Sequence, residues 1–476
     1  MSQPAFKIII VGCSVTGLTL AHCLDKLGVE YTILEKRSAV VLQEGASVAV
    51  MPNGGRILDQ LGLYDAFEKA TVPLDLTDAY LPDQAFRFTS DYPRRVLATF
   101  GYPVAFMERR GLLEILYDGI ADESNIHLNK AVTHVEQNDA GAKVHTEDGE
   151  VYEGDIVVGA DGIHSKTLRE MWRMMGEPIV NGIAQSESQN MSVAFSCVFG
   201  ISHDVPELQP GEQILRMCNG STIFVMGSKG IVFWFIVTQL DRRYEYHDAP
   251  RYTTEEAAAF CEARKDAEIK EGVTFECIWR KQHVFNMLPL QESLFQTWSH
   301  GRVVCIGDSV HKMTINLGQG ANCAIEDVTV FCNMLHRMLA EKREKKPSYS
   351  EIDTLLRRFN KEHLPRASAI VETSRLTTRV HAQIGLSQRI MTRWVVPYFG
   401  KLLQGKPLGL IANGPVLDFL PLKRTTFPGW ERYRARRGSR GAGFWITAFL
   451  SLSLLAVAAT TYGWGNSQIW ADWNIL

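Results

Sequence analysis

Residues 7–12 form an apolar, β-branched run, residues 15–27 repeat apolar side chains at helical spacing, and residues 30–35 make a second short apolar strand. That succession predicts a β-α-β unit and, with it, a parallel sheet. The stretch RRGLLEILYDGI, residues 109–120, is apolar at 112, 113, 116 and 120, the spacing of an amphipathic helix opened by two arginines. Alternating strands follow to about residue 150. GDIVVGADGIHS then reads as a buried strand running into a glycine turn. From about 176 to 290 the pattern is strand-rich. STIFVMGSKGIVFWFIVTQL, residues 221–240, places two apolar runs around a Ser228-Lys229-Gly230 turn. RVVCIGDSVH, residues 302–311, returns to the buried parallel-strand pattern, and a long helix is predicted over about 319–340. EKREKKPSYSE, residues 341–351, reads as a solvated helix end and loop, and the chain beyond 350 as mostly helical to about 400.

With 476 residues and 46% hydrophobic side chains, the chain has material for two or three domains with real cores, which excludes a disordered class. Fifty basic residues against fifty-three acidic ones leave a formal charge of −3, so no global field favours nucleic acid. The nine cysteines include no C-x-x-C pair and sit mostly in apolar runs, as suits a reducing compartment. No signal peptide is expected. Residues 443–464, GFWITAFLSLSLLAVAATTYGW, carry no charge, and as a helix they would extend about 33 Å, one bilayer thickness. Lys423, Arg424, Arg432, Arg434, Arg436, Arg437 and Arg440 precede this stretch, and Asp472 is the only charge after it. The asymmetry predicts a single-pass span with the large N-terminal part in the cytosol. A buried core helix is the other reading.

Three constellations carry chemistry. In the first, Gly12 allows the strand-to-helix turn, Gly17 lets the helix pack closely on the strand, and Ser14 stands between them where the backbone must approach a pyrophosphate. Serine is small, and its hydroxyl can donate to a phosphate. Glu35 ends the second strand, where a carboxylate accepts both hydroxyls of an adenosine ribose and repels a 2′-phosphate; that favours FAD or NAD over NADP. The second constellation is VVGADGIHSKTLR, which delivers Asp161 and Gly162 into a turn. In the third, CIGDSVHKMTINLGQGANCAIEDV, Asp308 can accept from a sugar-alcohol hydroxyl. The turn Gly318-Gln319-Gly320 opens a helix whose free amides, as far as Ala321, make an anion site. Arg109 begins its helix near the nucleotide pocket, where a guanidinium can fork onto phosphate oxygens. His311, beside a tight turn, reads as a hydrogen-bonded structural group rather than a general base. No metal site is expected.

These residues resemble the single-component, FAD-dependent aromatic-hydroxylase class of flavoprotein monooxygenases, whose glycine unit, Asp-Gly motif and Gly-Asp motif all occur here in order. EGASVAVMPNGGRILDQLGLYD (44–65), MERRGLLEILY (107–117) and the C-terminal apolar segment resemble fungal enzymes that epoxidise a prenyl chain in meroterpenoid and indole-diterpene biosynthesis. The resemblance implies FAD contacts at Glu35, the backbone of Ala49, Arg109, Asp308 and the backbone of Ala321, with Asp161 and Gly162 linked to both FAD and NADPH. It implies NADPH as a reductant that docks transiently. The chain departs from the family at Ile315, where proline is usual, and at Ala321, where glycine is; serine at position 14 is common among such relatives.

The expected fold class is α/β: a Rossmann-like FAD-binding domain with an inserted β-sheet substrate domain and a C-terminal transmembrane helix. Residues 1–175 and 291–400 supply the FAD-binding domain and its helices, 176–290 the substrate sheet, 401–442 a basic linker, 443–464 the span and 465–476 a short tail. The expected function is epoxidation of an alkene on a farnesyl or geranylgeranyl chain of an aromatic, polyketide or indole substrate, with IFVM and IVFWFIV lining the pocket and Arg216 facing the flavin. The expected partners are this prenylated small molecule, the membrane and a downstream terpene cyclase, with no nucleic acid. The expected location is the endoplasmic-reticulum membrane. The alternatives are an FAD-dependent hydroxylase of a phenolic ring and a membrane-tethered flavin-binding protein without turnover.

Overall fold

The first strand, Lys7–Val11, lies at the centre of a six-stranded sheet because every side chain after Lys7 is apolar and both of its faces are covered. It pairs in parallel with Glu30–Leu34 on one side and Ile156–Gly159 on the other. Ile126–His127 extends the sheet at one edge, while Val303–Cys305 and the antiparallel Ser299–His300 extend it at the other. The computed structural model describes residues 6–43, 45, 47–82, 87–342 and 345–434. The neighbours of the first strand arrive from opposite directions along the chain, so a crevice opens beyond its carboxyl end, the usual place for a ligand in an open α/β sheet.

The helix Val15–Leu27 crosses this sheet at very close range. A Cβ at Gly17 would lie 2.0 Å from the carbonyl oxygen of Gly12, so only glycine permits the approach. Gly12 itself turns the chain at φ 104°, a conformation that costs other residues strain. The helix Gly320–Lys342 packs against the first helix and against Tyr349–His381, burying Cys323, Ile325, Val328 and Phe331 from the one and Leu356, Phe359 and Ile370 from the other. Ser348 and Glu351 form a reciprocal cap at the start of the longer helix.

The second sheet has eight strands in the order His311–Lys312, Gln282–Leu294, Met191–His203, Ile231–Tyr244, Ser221–Gly227, Glu212–Cys218, Leu76–Tyr80 and Arg87–Ser90. The expected hairpin around Ser228-Lys229-Gly230 is there, with Phe224 paired to Phe235. The sheet also recruits strands from both flanking stretches, 76–90 and 311–312, which no local pattern announced. One face meets the helices Thr254–Glu262 and Glu276–Trp279 through Ile223, Val225, Trp234, Cys261 and Phe275. The opposite face turns toward the six-stranded sheet.

The α/β part of the expected fold class stands, and the transmembrane part is corrected. Among the described residues no helix is long and apolar enough to cross a membrane. The two longest are interrupted by charge, as at Glu326, Asp327 and Arg337 in one and Arg357, Arg358 and Lys361 in the other. The stretch 443–464, to which the span was assigned, lies outside the described residues. The expected single-pass membrane localisation rested on that span and is withdrawn with it.

Residues 413–433, expected as part of a basic linker, pack onto the body of the protein. Arg56 donates to the carbonyl of Gly414 at 2.7 Å, and Gln60 exchanges hydrogen bonds with Leu417 at 2.9 and 3.0 Å. Trp430 is buried against Phe100, with the Arg56 guanidinium 3.7 Å from its ring centroid. Replacing this indole leaves a large cavity, so Trp430→Ala is expected to cost about 3–5 kcal/mol of stability. A urea unfolding curve measures it, and a midpoint equal to that of the wild type would show that the segment is not integral.

Candidate active site

Between the two sheets, beyond the carboxyl end of Lys7–Val11, lies one continuous cavity of about 990 Å³. Its lining includes Gly12, Ser14, Glu35, Ala49, Arg109, Asp161, Gly162, Asp308, Gly318, Gly320 and Ala321, brought together from segments spread over more than 300 positions of the chain. Of the residues singled out from the sequence, Gly17 and Arg216 do not line it. Gly17 acts beneath the surface, as the close helix–strand contact requires.

At one end, Glu35 is buried and held by the amides of Cys13 and Arg37, at 2.8 and 3.0 Å. Those donors fix the carboxylate and leave lone pairs for a diol. Ser14 precedes the helix Val15–Leu27 without capping it through its side chain; its hydroxyl instead accepts from Arg109 Nη2 at 2.7 Å, so the serine in the glycine unit orients the arginine that begins Arg109–Asp118. The carboxylate of Asp161 is used locally. It accepts from Ser165 Oγ at 2.5 Å and from the amides of Lys166 and Thr167 at 2.8 and 3.0 Å, closing the turn before the helix Lys166–Met174. Gly162 sits in that turn at φ 74°.

In the middle, Ala49 belongs to the strand Ser47–Val50, which pairs with Ala105–Glu108. Asp308 stands in the short turn Gly307–Ser309 with Lys312 as its ion-pair partner. Gly318, at φ 65°, ends the turn Ile315–Leu317 and leads into the helix that starts at Gly320. The first amides of a helix have no intrahelical acceptor, so Gly320 and Ala321 present donors to the cavity. A Cβ placed on Gly320 would meet nothing within 4 Å. Two further polar groups there have no partner among the described residues: Ser47 Oγ, and both polar side-chain atoms of Asn316.

A family model described as FAD binding domain matches residues 5–374. The chain is 95% identical to the FAD-dependent monooxygenase dpasE of Apiospora sacchari over the full length of both. It is 52% identical to the FAD-dependent monooxygenase dpchE of Colletotrichum higginsianum, over 98% of this chain and 99% of that one. The chain belongs to the FAD-dependent monooxygenases. In fold it is similar to Klebsiella pneumoniae HpxO, solved with FAD and uric acid, at a TM-score of 0.66 and 18% identity over 86% of this chain and 97% of that one.

For a monooxygenase of this family the residues present fit FAD. The buried acceptor at Glu35 suits the ribose, Arg109 and Ser14 the pyrophosphate, Asp308 the sugar-alcohol chain, and the amides of Gly320 and Ala321 with the unpartnered Asn316 the polar edge of the ring. The family membership removes the reading of a flavin-binding scaffold without turnover.

Arg216 needs correcting. It sits on Glu212–Cys218 between Leu215 and Met217, both of which line the cavity. Side chains alternate along a strand, so Arg216 points to the other face, where it is buried within 5.7 Å of the Tyr80 ring centroid. It is not part of the cavity lining. By the same alternation Phe224, Met226 and Phe235 face the cavity, while Ile223, Val225, Trp234 and Ile236 do not.

Sequence reasoning missed the buried polar supports. Asn322 accepts from the amide of Met51 at 2.9 Å and donates to the carbonyls of Ala49 and Gly318 at 3.0 and 2.9 Å. Asp327 accepts from His311 and His363 and from the amide of Gly307, each at 2.7 Å. The signal was present in GANCAIEDV: three polar residues, at 322, 326 and 327, on the buried side of an otherwise apolar helix. His311 is indeed structural. Burial works against its charge, but the Asp327 carboxylate outweighs burial and holds its pKa well above 6.5. Burial likewise opposes the charge of Asp327, which the two histidines nevertheless keep below the usual carboxylate range. His311, Cys323 and Asp327 stand close enough to hold a metal, yet the histidine and the carboxylate already satisfy each other.

Asp308→Ala is expected to weaken FAD retention about tenfold to a hundredfold, from the loss of a charged hydrogen-bond acceptor. The ratio of flavin to protein absorbance after gel filtration reads it. A raised histidine pKa contributes stability that is complete below the ordinary value of 6.5 and is lost as pH rises through the folded value. Unfolding free energy of the wild type therefore falls on the alkaline side. In Asp327→Asn that slope disappears, and the protein is about 3–5 kcal/mol less stable at neutral pH, because the buried His311 has lost its counter-charge. Denaturation curves across pH test both statements.

Proposed function

We propose that this FAD-dependent monooxygenase uses NADPH and dioxygen to epoxidise an alkene of a farnesyl or geranylgeranyl chain carried on an aromatic, polyketide or indole ring. The product would enter terpenoid secondary metabolism, where a downstream terpene cyclase opens the epoxide. When bound and reduced, FAD supplies the activation of dioxygen; one oxygen atom goes to the alkene and the other leaves as water.

The observation that carries this reading is the character of the cavity wall facing away from the nucleotide end. Leu215, Met217, Phe224, Met226, Phe235 and Val380 form an apolar surface of the kind a hydrocarbon chain buries against. Ring hydroxylation needs a base to make the phenolate; an alkene with alkyl substituents is already electron-rich and needs mainly a dry, well-aimed pocket. Among the described residues two imidazoles line the cavity: His381, whose pKa burial pushes down to about 4, too weak to take a proton from a phenol, and His164 beside Asp161 and Gly162, which burial and the neighbouring Lys36 and Arg169 also lower. Phe224 and Phe235 keep water from the reacting carbon, and Asn322 holds the flavin-side turn in register with Ala49, so aim and dryness come from the protein.

Incubation of the holoenzyme with NADPH, oxygen and a panel of farnesylated and geranylgeranylated aromatics tests the proposal. Oxygen-dependent NADPH oxidation with one oxygen gained on the chain is expected. A gain confined to the ring would overturn it.

A further inference from the structure

His381 ends the long helix and lines the apolar part of the cavity, edge-on to Phe224 at 5.5 Å between ring centroids. Its Nδ1 is buried and has no hydrogen-bond partner among the described residues. The polar side chains around it differ in this respect. Thr377 donates to the carbonyl of Thr373 at 2.7 Å, Thr392 accepts from Gln383 Nε2 at 2.8 Å, and Thr77 donates to Gln213 Oε1 at 2.6 Å. A buried polar atom left unmet is destabilising, and native proteins rarely keep one without a use.

The helix end that carries this imidazole is tied down. The residue after it accepts, through its carbonyl, from the amide of Gly220 at 2.8 Å, which ties the helix end to the hairpin joining two strands of the large sheet. A side chain carried on a tied-down helix end suits recognition. Burial keeps the ring neutral, so it offers one donor and one acceptor, and it can bond a hydroxyl or a carbonyl but not compensate a carboxylate. The surrounding walls reinforce that choice. The strands Glu212–Cys218, Ser221–Gly227 and Ile231–Tyr244, the end of the long helix, and the stretch 392–407 present no charged side chain to the cavity among the described residues.

We propose that His381 anchors the ring head of the substrate: it hydrogen-bonds a hydroxyl or carbonyl on an uncharged, otherwise apolar molecule and so sets which double bond of the chain reaches the flavin. The anchor rests on the prenylated-substrate reading above and deepens it. An apolar chain alone can slide along an apolar wall, because burial is non-directional. One hydrogen bond at a fixed point removes that freedom and converts chain length into position.

The test uses holoenzyme and two probes, a farnesylated phenol and the same molecule without its ring hydroxyl, with dissociation constants taken from the perturbation of the flavin absorbance. The wild type is expected to prefer the phenol by about tenfold or more, as a site built to bond a hydroxyl does. His381→Phe, which keeps a flat ring, is expected to bind both probes within about twofold of each other. His381→Asn, which restores a donor and an acceptor, is expected to recover most of the preference. FAD content of each variant should match the wild type. A preference that survives in His381→Phe, an equal loss for both probes, a wild type indifferent to the hydroxyl, or a wild-type flavin that neither probe perturbs would each overturn the anchor. Product analysis separates this from the epoxidation reading. Ring oxygenation with the expected binding pattern removes that reading and leaves the anchor, and epoxide formation without the binding pattern does the reverse.

Discussion

A single buried amide holds the flavin side of the cavity together. Asn322 joins the glycine turn at Gly318 to the strand bearing Ala49 and Met51, using its carbonyl oxygen once and its amide nitrogen twice. These segments are some 270 residues apart in sequence, and neither has a regular ladder to the other. Together with the contacts of Asn53 to Gln319 and Glu326, that side chain sets the distance of the amides at Gly320 and Ala321 from the opposite wall, and a helix N-terminus acts only over its first turn. The amide is itself reinforced. Asn53 donates to Gln319 and Glu326 at 3.0 and 2.7 Å, and Arg366 closes the set on Glu326 at 2.8 and 2.9 Å. A fully satisfied polar network in a low-dielectric interior specifies one arrangement in a way that apolar packing alone does not.

Asp327 provides the matching constraint one turn further along. Its carboxylate gathers His311, His363 and the amide of Gly307, so the short turn that carries Asp308 is held from behind. The cavity thereby separates two kinds of chemistry. Charged groups collect where a dinucleotide would lie, at Glu35, Arg37, Arg109, Asp308 and Lys312, and the walls toward Phe224 and Phe235 stay apolar. Keeping the strongest charge pair behind the turn rather than in the cavity leaves the pocket dry without removing the support.

What the sequence disclosed follows from what is local. The β-α-β unit, the hairpin at 221–240 and the glycine turn before the helix were readable because each is set by residues within about ten positions, and Gly12, Glu35 and Asp308 fell where their motifs put them. The recruitment of 76–90 into the large sheet was not readable, since strand pairing over more than a hundred residues leaves no local trace. Arg216 failed for a related reason. With Leu215 and Met217 on either side, the choice of face depends on register alone, and a shift of one residue exchanges the faces. Asn322 and Asp327 were visible as letters, but the groups they bond, Ala49 and His363, are fixed only by the fold. The apolar stretch at 443–464 gave a strong hydropathy signal, but it lies outside the described residues, and no helix among those is long and apolar enough to cross a membrane.

The departures at Ile315 and Ala321 explain themselves once the turn is seen in place. A proline at 315 would pre-set the backbone by locking its own φ. Here the same segment is held by other means: the amide of Gly318 donates to the carbonyl of Ile315 at 2.9 Å, and the preceding Thr314 is clasped by Ser374 and Thr378 through hydroxyl contacts of 2.9 and 2.6 Å. Ser374 also donates to the carbonyl of Thr314 at 2.9 Å. The turn is therefore ordered by hydrogen bonds to the long helix rather than by a ring in the chain. Ala321 adds only a methyl group, and its amide keeps its place in the first turn of the helix. Because the helix that clasps Thr314 is also the one that ends in His381, the turn beside the flavin and the wall facing the substrate are parts of one rigid element, and the geometry between them is set by the spacing of Ser374, Thr378 and His381 along it.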